Sequence, residues 1–123
     1  MTEIQPLRAA LLHLHRELLQ IQRGEAERFG GRMTAAETLQ AAADDLRFSW
    51  LRELSTLITE LDQARSDDDP QQVSAGVERA RALLDPPDPD SAFGARYLTV
   101  LQDHPAAVLA HRDVTAALAP LDS

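Results

Sequence analysis

His15 and His111 are the residues most capable of chemistry in this chain. His15 lies three or four residues from Leu11, Leu12, Leu18 and Leu19, on the apolar side of the first helical run, and His111 falls between Val108, Val114 and Leu118. Two inward histidines on different helices, completed by a carboxylate such as Glu25 or Asp62, are the ingredients of a metal site built between facing helices. The dense patterns such sites carry, Glu-x-x-His pairs or HExxH, are missing. We therefore expect no metal and no cofactor, and read both histidines as core groups hydrogen-bonded to backbone or carboxylate. His13 and His104 read as solvated.

A second group is suited to recognition. Trp50 brings an indole N–H that needs a partner when buried, and Arg52 and Arg96 bring guanidinium groups that pair bidentately with carboxylates. Arg96 stands next to Tyr97, and both types are common interface anchors. In "FSWLRELSTLITELDQ" (48–63), Trp50 shares an α-helical face with Leu46, Leu54 and Leu57, which makes it a core residue first. Phe48 falls about 200° away at ordinary helical pitch. With Leu51 and Ile58 it widens the apolar surface beyond what one neighbouring helix covers. Either this segment is a central helix wrapped by several others, the reading we favour, or Phe48 packs on a second copy.

Other chemistries lack a motif. The six serines include none in a GxSxG elbow, and neither GxxxxGK[ST] nor GxGxxG occurs. With no cysteine, disulfides, thiolate catalysis and iron–sulfur ligation are excluded. "SDDD" (66–69) lacks the alternating acids and closing Glu of a calcium loop and reads as a turn and helix cap.

Composition narrows the partners. The formal net charge of −8 comes from twenty acidic against twelve basic residues, all of them Arg. A field of this sign repels phosphate backbones and anionic lipid surfaces, so we expect no nucleic-acid and no membrane partner. No basic-then-apolar leader opens the chain, and nowhere do about 18 apolar residues run together. The expectation is a cytoplasmic protein whose 123 residues form a single domain.

The elements that must position these residues are helical throughout. Leu7, Leu11, Leu14, Leu18 and Ile21 recur at 4-3-4-3 spacing over residues 4 to 29, and "FGGR" ends that helix through a glycine with positive φ. "TAAE" (34–37) is a capping box that starts the next run, whose apolar face takes in Leu39, Ala43, Leu46, Trp50, Leu54, Leu57 and Leu61. Asp44 and Asp45 leave open whether residues 35–65 form one helix or a short one followed by a main one from Asp45 to about Arg65. Asp69 and Pro70 start a third helix, buried through Val73, Val77, Ala80 and Leu84. "DPPDPD" (85–90) is a stiff linker within the domain. Ser91 caps a fourth helix, "DHP" (103–105) breaks it, and a last one runs from about Ala106 to Leu118. No stretch alternates with period 2 and no internal repeat is visible.

"LRFSWLRELSTLITELD" and "FGARYLTVLQDHPAAVLAH", with Leu14–His15, Trp50–Arg52 and Asp62, resemble a family of small all-α bacterial proteins with no known activity. The likeness spans most of the chain and implies a helical bundle. In that pattern an Asp-Pro helix start precedes the aromatic pair and an Asp stands directly before the later Pro, whereas here Leu46 follows Asp45 and His104 precedes Pro105.

The sequence thus reads as an all-α bundle of about five helices with the 45–65 segment at its centre. The leading functional expectation is a non-enzymatic protein-interaction module, a homodimer or a binder of another protein. The alternative is a small-ligand or metal-binding domain whose pocket, between the first, central and last helices, is lined by His15, Trp50, Arg96, Tyr97 and His111.

Overall fold

A computed structural model describes residues 3–44 and 46–121, the side chains of Phe29, Ala43, Asp44 and Leu46 excepted. Among these residues the chain is all-α, with no strand. The elements are α1 (Gln5–Gly30), α2 (Ala35–Asp44), a 3-10 segment (Leu46–Leu51), α3 (Arg52–Ser66), α4 (Pro70–Leu84), α5 (Ala92–Asp103), α6 (Pro105–Leu118) and a closing 3-10 turn (Ala119–Leu121). There are six helices among the described residues, not about five, because the 35–65 region divides. Asp45, where a main helix was expected to begin, lies outside the described residues.

Local chemistry sets most boundaries. Gly31 has φ of 82° and its amide donates to the Glu27 carbonyl at 3.0 Å, closing α1. The capping box forms at both ends: the Glu37 amide donates to Thr34 Oγ1 and the Thr34 amide to Glu37 Oε1, each at 3.1 Å. Those bonds from Thr34 hold the Glu37 carboxyl below its usual range. Asp69 accepts from the Gln72 amide at 3.2 Å and Ser91 from the Gly94 amide at 2.9 Å, fixing the starts of α4 and α5.

α1 is the spine. Leu7, Leu11, Leu14 and Leu18 are fully buried, each contributing about 2 kcal/mol of apolar burial. α6 packs along α1 more extensively than any other pair of elements meets, α3 and the 3-10 segment cover another side of it, and α4 lies against α3. α5 bridges the 3-10 segment, α4 and α6. No helix among the described residues is long and apolar enough to cross a membrane.

Three expectations are corrected here. The front of the expected central helix is a 3-10 segment, in which residues three apart eclipse one another. Phe48 and Leu51 therefore share one face and continue into Leu54 and Leu57, all buried. Phe48 is 1 % exposed, covered by its own chain, and offers no surface to a partner. Trp50, expected first in the core, is only half-buried. Leu39, expected on the apolar face, is 68 % exposed, because α2 buries Thr38 instead, whose hydroxyl donates to the Thr34 carbonyl at 2.9 Å.

The 85–91 linker folds tightly over the start of α5. A Cβ at Gly94 would stand 1.8 Å from the Asp88 carbonyl oxygen, so only glycine fits there. We predict that Gly94→Ala destabilises the fold by about 1–3 kcal/mol in urea unfolding, the cost of an overpacked site. Gly24, within α1, has nothing within 4 Å of the position a Cβ would take. Gly24→Ala is expected to stabilise by roughly 0.5–1 kcal/mol through helix propensity and a less flexible unfolded chain. Equal effects of the two changes would contradict this packing.

Candidate functional site

Most of the expected recognition residues meet where the C-terminal half of α1, the 3-10 segment and α5 come together. Gln22, on the stripe that continues from Leu14 and Leu18, is 4 % exposed. Its Oε1 accepts from Trp50 Nε1 at 2.9 Å and from Arg96 Nη2 at 3.3 Å. Arg96 also forms an ion pair and hydrogen bond with Glu25, and its guanidinium carbon sits 5.6 Å from the centre of the Trp50 ring. One arginine thus stacks on an indole, shares its acceptor and neutralises a carboxylate one turn further along α1. Gln22, Glu25, Ala26, Arg47 and Arg96 line a small open depression of 290 Å³ on this side.

From Trp50 an aromatic series runs inward. Trp50 and Phe93 have centroids 5.7 Å apart, Phe93 and Tyr97 stack at 5.3 Å, and Tyr97 meets the His111 ring at 5.5 Å. Tyr97 is fully buried and its oxygen lies 2.7 Å from His111 Nδ1. Burial pushes the phenol above its ordinary range, so it keeps its proton. Burial also lowers His111, against the opposing effect of Asp85, and keeps the imidazole neutral at pH 7. With those protonation states the Tyr97 hydroxyl and His111 Nδ1 share a hydrogen bond between two neutral groups, its direction set by the imidazole tautomer.

The expected pocket between the first, central and last helices is replaced by this packing: Trp50, Tyr97 and His111 touch ring to ring or through Phe93. His15 is half-buried, its imidazole lowered by burial. The metal alternative loses its carboxylates, because Glu25 is held by Arg96, and Asp62 accepts from Arg8 Nε at 2.5 Å and Nη2 at 3.5 Å. Among the described residues no group of three or more His, Asp and Glu is placed to hold a metal ion.

Arg52 belongs elsewhere. It is exposed in the first turn of α3, on an open groove of 680 Å³ with an apolar floor of Leu57 and Leu83. Glu53, Asp88 and the ion-paired Glu60 and Arg79 make the rest of its rim.

Sequence reasoning passed over Gln22 and Leu109. The expected 4-3-4-3 stripe passes from Leu18 to Ile21, so spacing gave no signal for Gln22; the packing instead buries Gln22 and leaves Ile21 half-buried. Leu109 is 60 % exposed on α6. Its signal was its place opposite Ala107, Ala110 and Val114, the buried side of that helix.

The two lowered histidines make stability depend on pH. Both are neutral when folded, while in the unfolded chain they gain protons as pH falls through about 6.5. Their contribution is complete above that value and is lost as pH drops through the lower folded-state values. We predict that the urea midpoint falls between pH 7.5 and 5.5, and that His15→Asn with His111→Asn flattens the dependence. An unchanged slope in the double variant would show that other groups carry it.

Comparison of the chain with protein-family models, with curated proteins and with solved structures finds no match, so a functional reading rests on its own residues.

Proposed function

We propose that the chain is a non-enzymatic protein-interaction module that pairs through a helix face, with a second copy or with another protein. The observation that carries this reading is Leu109, 60 % exposed on the solvent side of α6 beside Val108, itself exposed. The polar residues best suited to chemistry are meanwhile bonded to one another, Trp50 and Arg96 through Gln22 and Tyr97 to His111. Leu109 and Val108 put two adjacent aliphatic side chains in water on the outer side of α6, apolar surface of the kind a protein partner covers. The net charge of −8 supports a protein partner over nucleic acid or an anionic membrane. Acidic, cysteine-free composition fits the bacterial cytoplasm and the small all-α family that the sequence resembles.

A photo-reactive amino acid placed at position 109 in living cells tests this. We expect a covalent adduct from position 109 and none from the same probe at Arg28, which is exposed on α1. We also expect Leu109→Glu to change stability by less than about 0.5 kcal/mol, as for other surface changes. Absence of any adduct at position 109 would remove the interaction reading.

The α3–α4 groove favours a second reading, a small-ligand site. Its 680 Å³ falls within the range of ligand pockets and it combines an apolar floor with charged edges. If it serves that purpose, a fragment screen by NMR should shift the methyl signals of Leu57 and Leu83 together. Hits scattered over other surfaces would count against it.

A further inference from the structure

The depression where α1, the 3-10 segment and α5 meet is rich in N–H groups that the fold itself does not use. Gln22 Oε1 takes two donors at once, Trp50 Nε1 and Arg96 Nη2, which fixes the orientation of its amide and leaves Nε2 as a donor. Among the described residues Nε2 has no acceptor. Nor is it sealed from water, since among those residues Arg23 Nε is the one fully buried side-chain nitrogen or oxygen without a partner. Gln22 is 4 % exposed and lines the depression, so this opening is where its amide N–H groups meet solvent. Arg96 repeats the pattern. Its hydrogen bonds to Gln22 and Glu25 are all made by Nη2, so among the described residues Nε and Nη1 are also without an acceptor. Arg47, exposed on the 3-10 segment, completes the rim. Of the charged side chains lining these 290 Å³, two are arginine and one is glutamate, in a chain whose net charge is −8.

We propose that this depression binds the carboxylate of a small monoanionic organic acid. One oxygen of the acid accepts from Gln22 Nε2 and the other from the Arg96 guanidinium, while Arg47 adds to the positive potential that draws the anion in. An amide N–H on a nearly buried side chain gains when an acceptor replaces the little water that reaches it. The choice of anion follows from the rim. Glu25, held by Arg96, repels a second negative charge, so a dianion such as phosphate fits less well than a carboxylate. Planar amide and guanidinium donors also match a flat acceptor with two oxygens. An apolar ligand would leave the N–H groups unpaired, and a cation would meet two arginines. The volume, at the lower end of the range for ligand pockets, suits an acid of a few carbons. No residue of this lining is shared with the α3–α4 groove or with the depression beside Leu109. The site therefore goes beyond the interaction reading and stands or falls separately from it.

Acetate is the probe, titrated into the isotope-labelled chain at neutral pH and read by two-dimensional NMR, with ionic strength held constant by sodium chloride. Saturable shifts are expected at the Gln22 side-chain N–H pair and the Trp50 indole N–H, with a Kd of roughly millimolar order for a ligand of so few atoms. Acetamide, the neutral isostere, should leave both signals in place, and inorganic phosphate should bind more weakly than acetate. Gln22→Glu keeps acceptor oxygens for Trp50 and Arg96 but removes the amide N–H groups, and is expected to weaken acetate binding by roughly tenfold or more. Arg47→Gln changes an exposed position and is expected to weaken it by roughly threefold or more. Thermal melts of both variants report whether the fold is kept. Shifts that fail to saturate by roughly 200 mM acetate would overturn the proposal, as would shifts that chloride alone reproduces. Acetamide or phosphate binding as tightly as acetate would overturn it too, as would a folded Gln22→Glu chain that binds acetate like wild type. If Gln22→Glu does not fold, undiminished binding by Arg47→Gln overturns it alone.

Discussion

The amide oxygen of Gln22 is the acceptor on which three elements converge. It receives the indole N–H of the 3-10 segment and the guanidinium of α5 while anchored on α1. Both donors are half-buried and share one buried acceptor, so the indole and the guanidinium are tied to wherever that acceptor stands. That position in turn fixes the edge of Trp50, and with it the first ring of the series reaching Phe93, Tyr97 and His111. Glu25, one turn along α1, then balances the charge that Arg96 brings to the cluster. The arrangement lets a small chain place an arginine against an aromatic ring without leaving either polar group unsatisfied.

The 3-10 segment solves a problem of phase. An α-helix continued backward from α3 would turn Trp50 toward the core and Phe48 away from it. Tightening to three residues per turn brings Phe48 and Leu51 into line with Leu54 and leaves the indole at the boundary, where its apolar ring packs and its N–H reaches Gln22. An aromatic pair that reads as one core residue and one surplus residue is thereby used completely within the single chain.

Much of the fold was legible because caps and breakers act locally. Thr34 with Glu37, Asp69 with Pro70, and Ser91 before Gly94 each specify a helix start through atoms only a few residues apart, and the leucine spacing of α1 announces its buried side. The phase change at 46–51 was not legible, since period 3.0 and period 3.6 differ too little over six residues to be told apart by spacing. The site was legible in its residue types, with Trp50, Arg96, Tyr97 and His111 singled out, but not in its use. Whether such groups line a cavity or bond to each other depends on how α1 and α5 approach, which no local pattern encodes. Leu39 shows the complementary difficulty: its spacing put it on an apolar face, and only the packing of α2 turns it to water.

The pairing of α1 with α6 has a consequence for how the chain matures. These helices share the most extensive contact in the fold, yet α2, α3, α4 and α5 all lie between them along the chain. During synthesis the leucine row of α1 is made first and the helix that covers it last, a delay on the order of ten seconds at ordinary elongation rates. The most extensive contact of α1 therefore belongs to the last α-helix to be made, and the fold closes on its C-terminal segment.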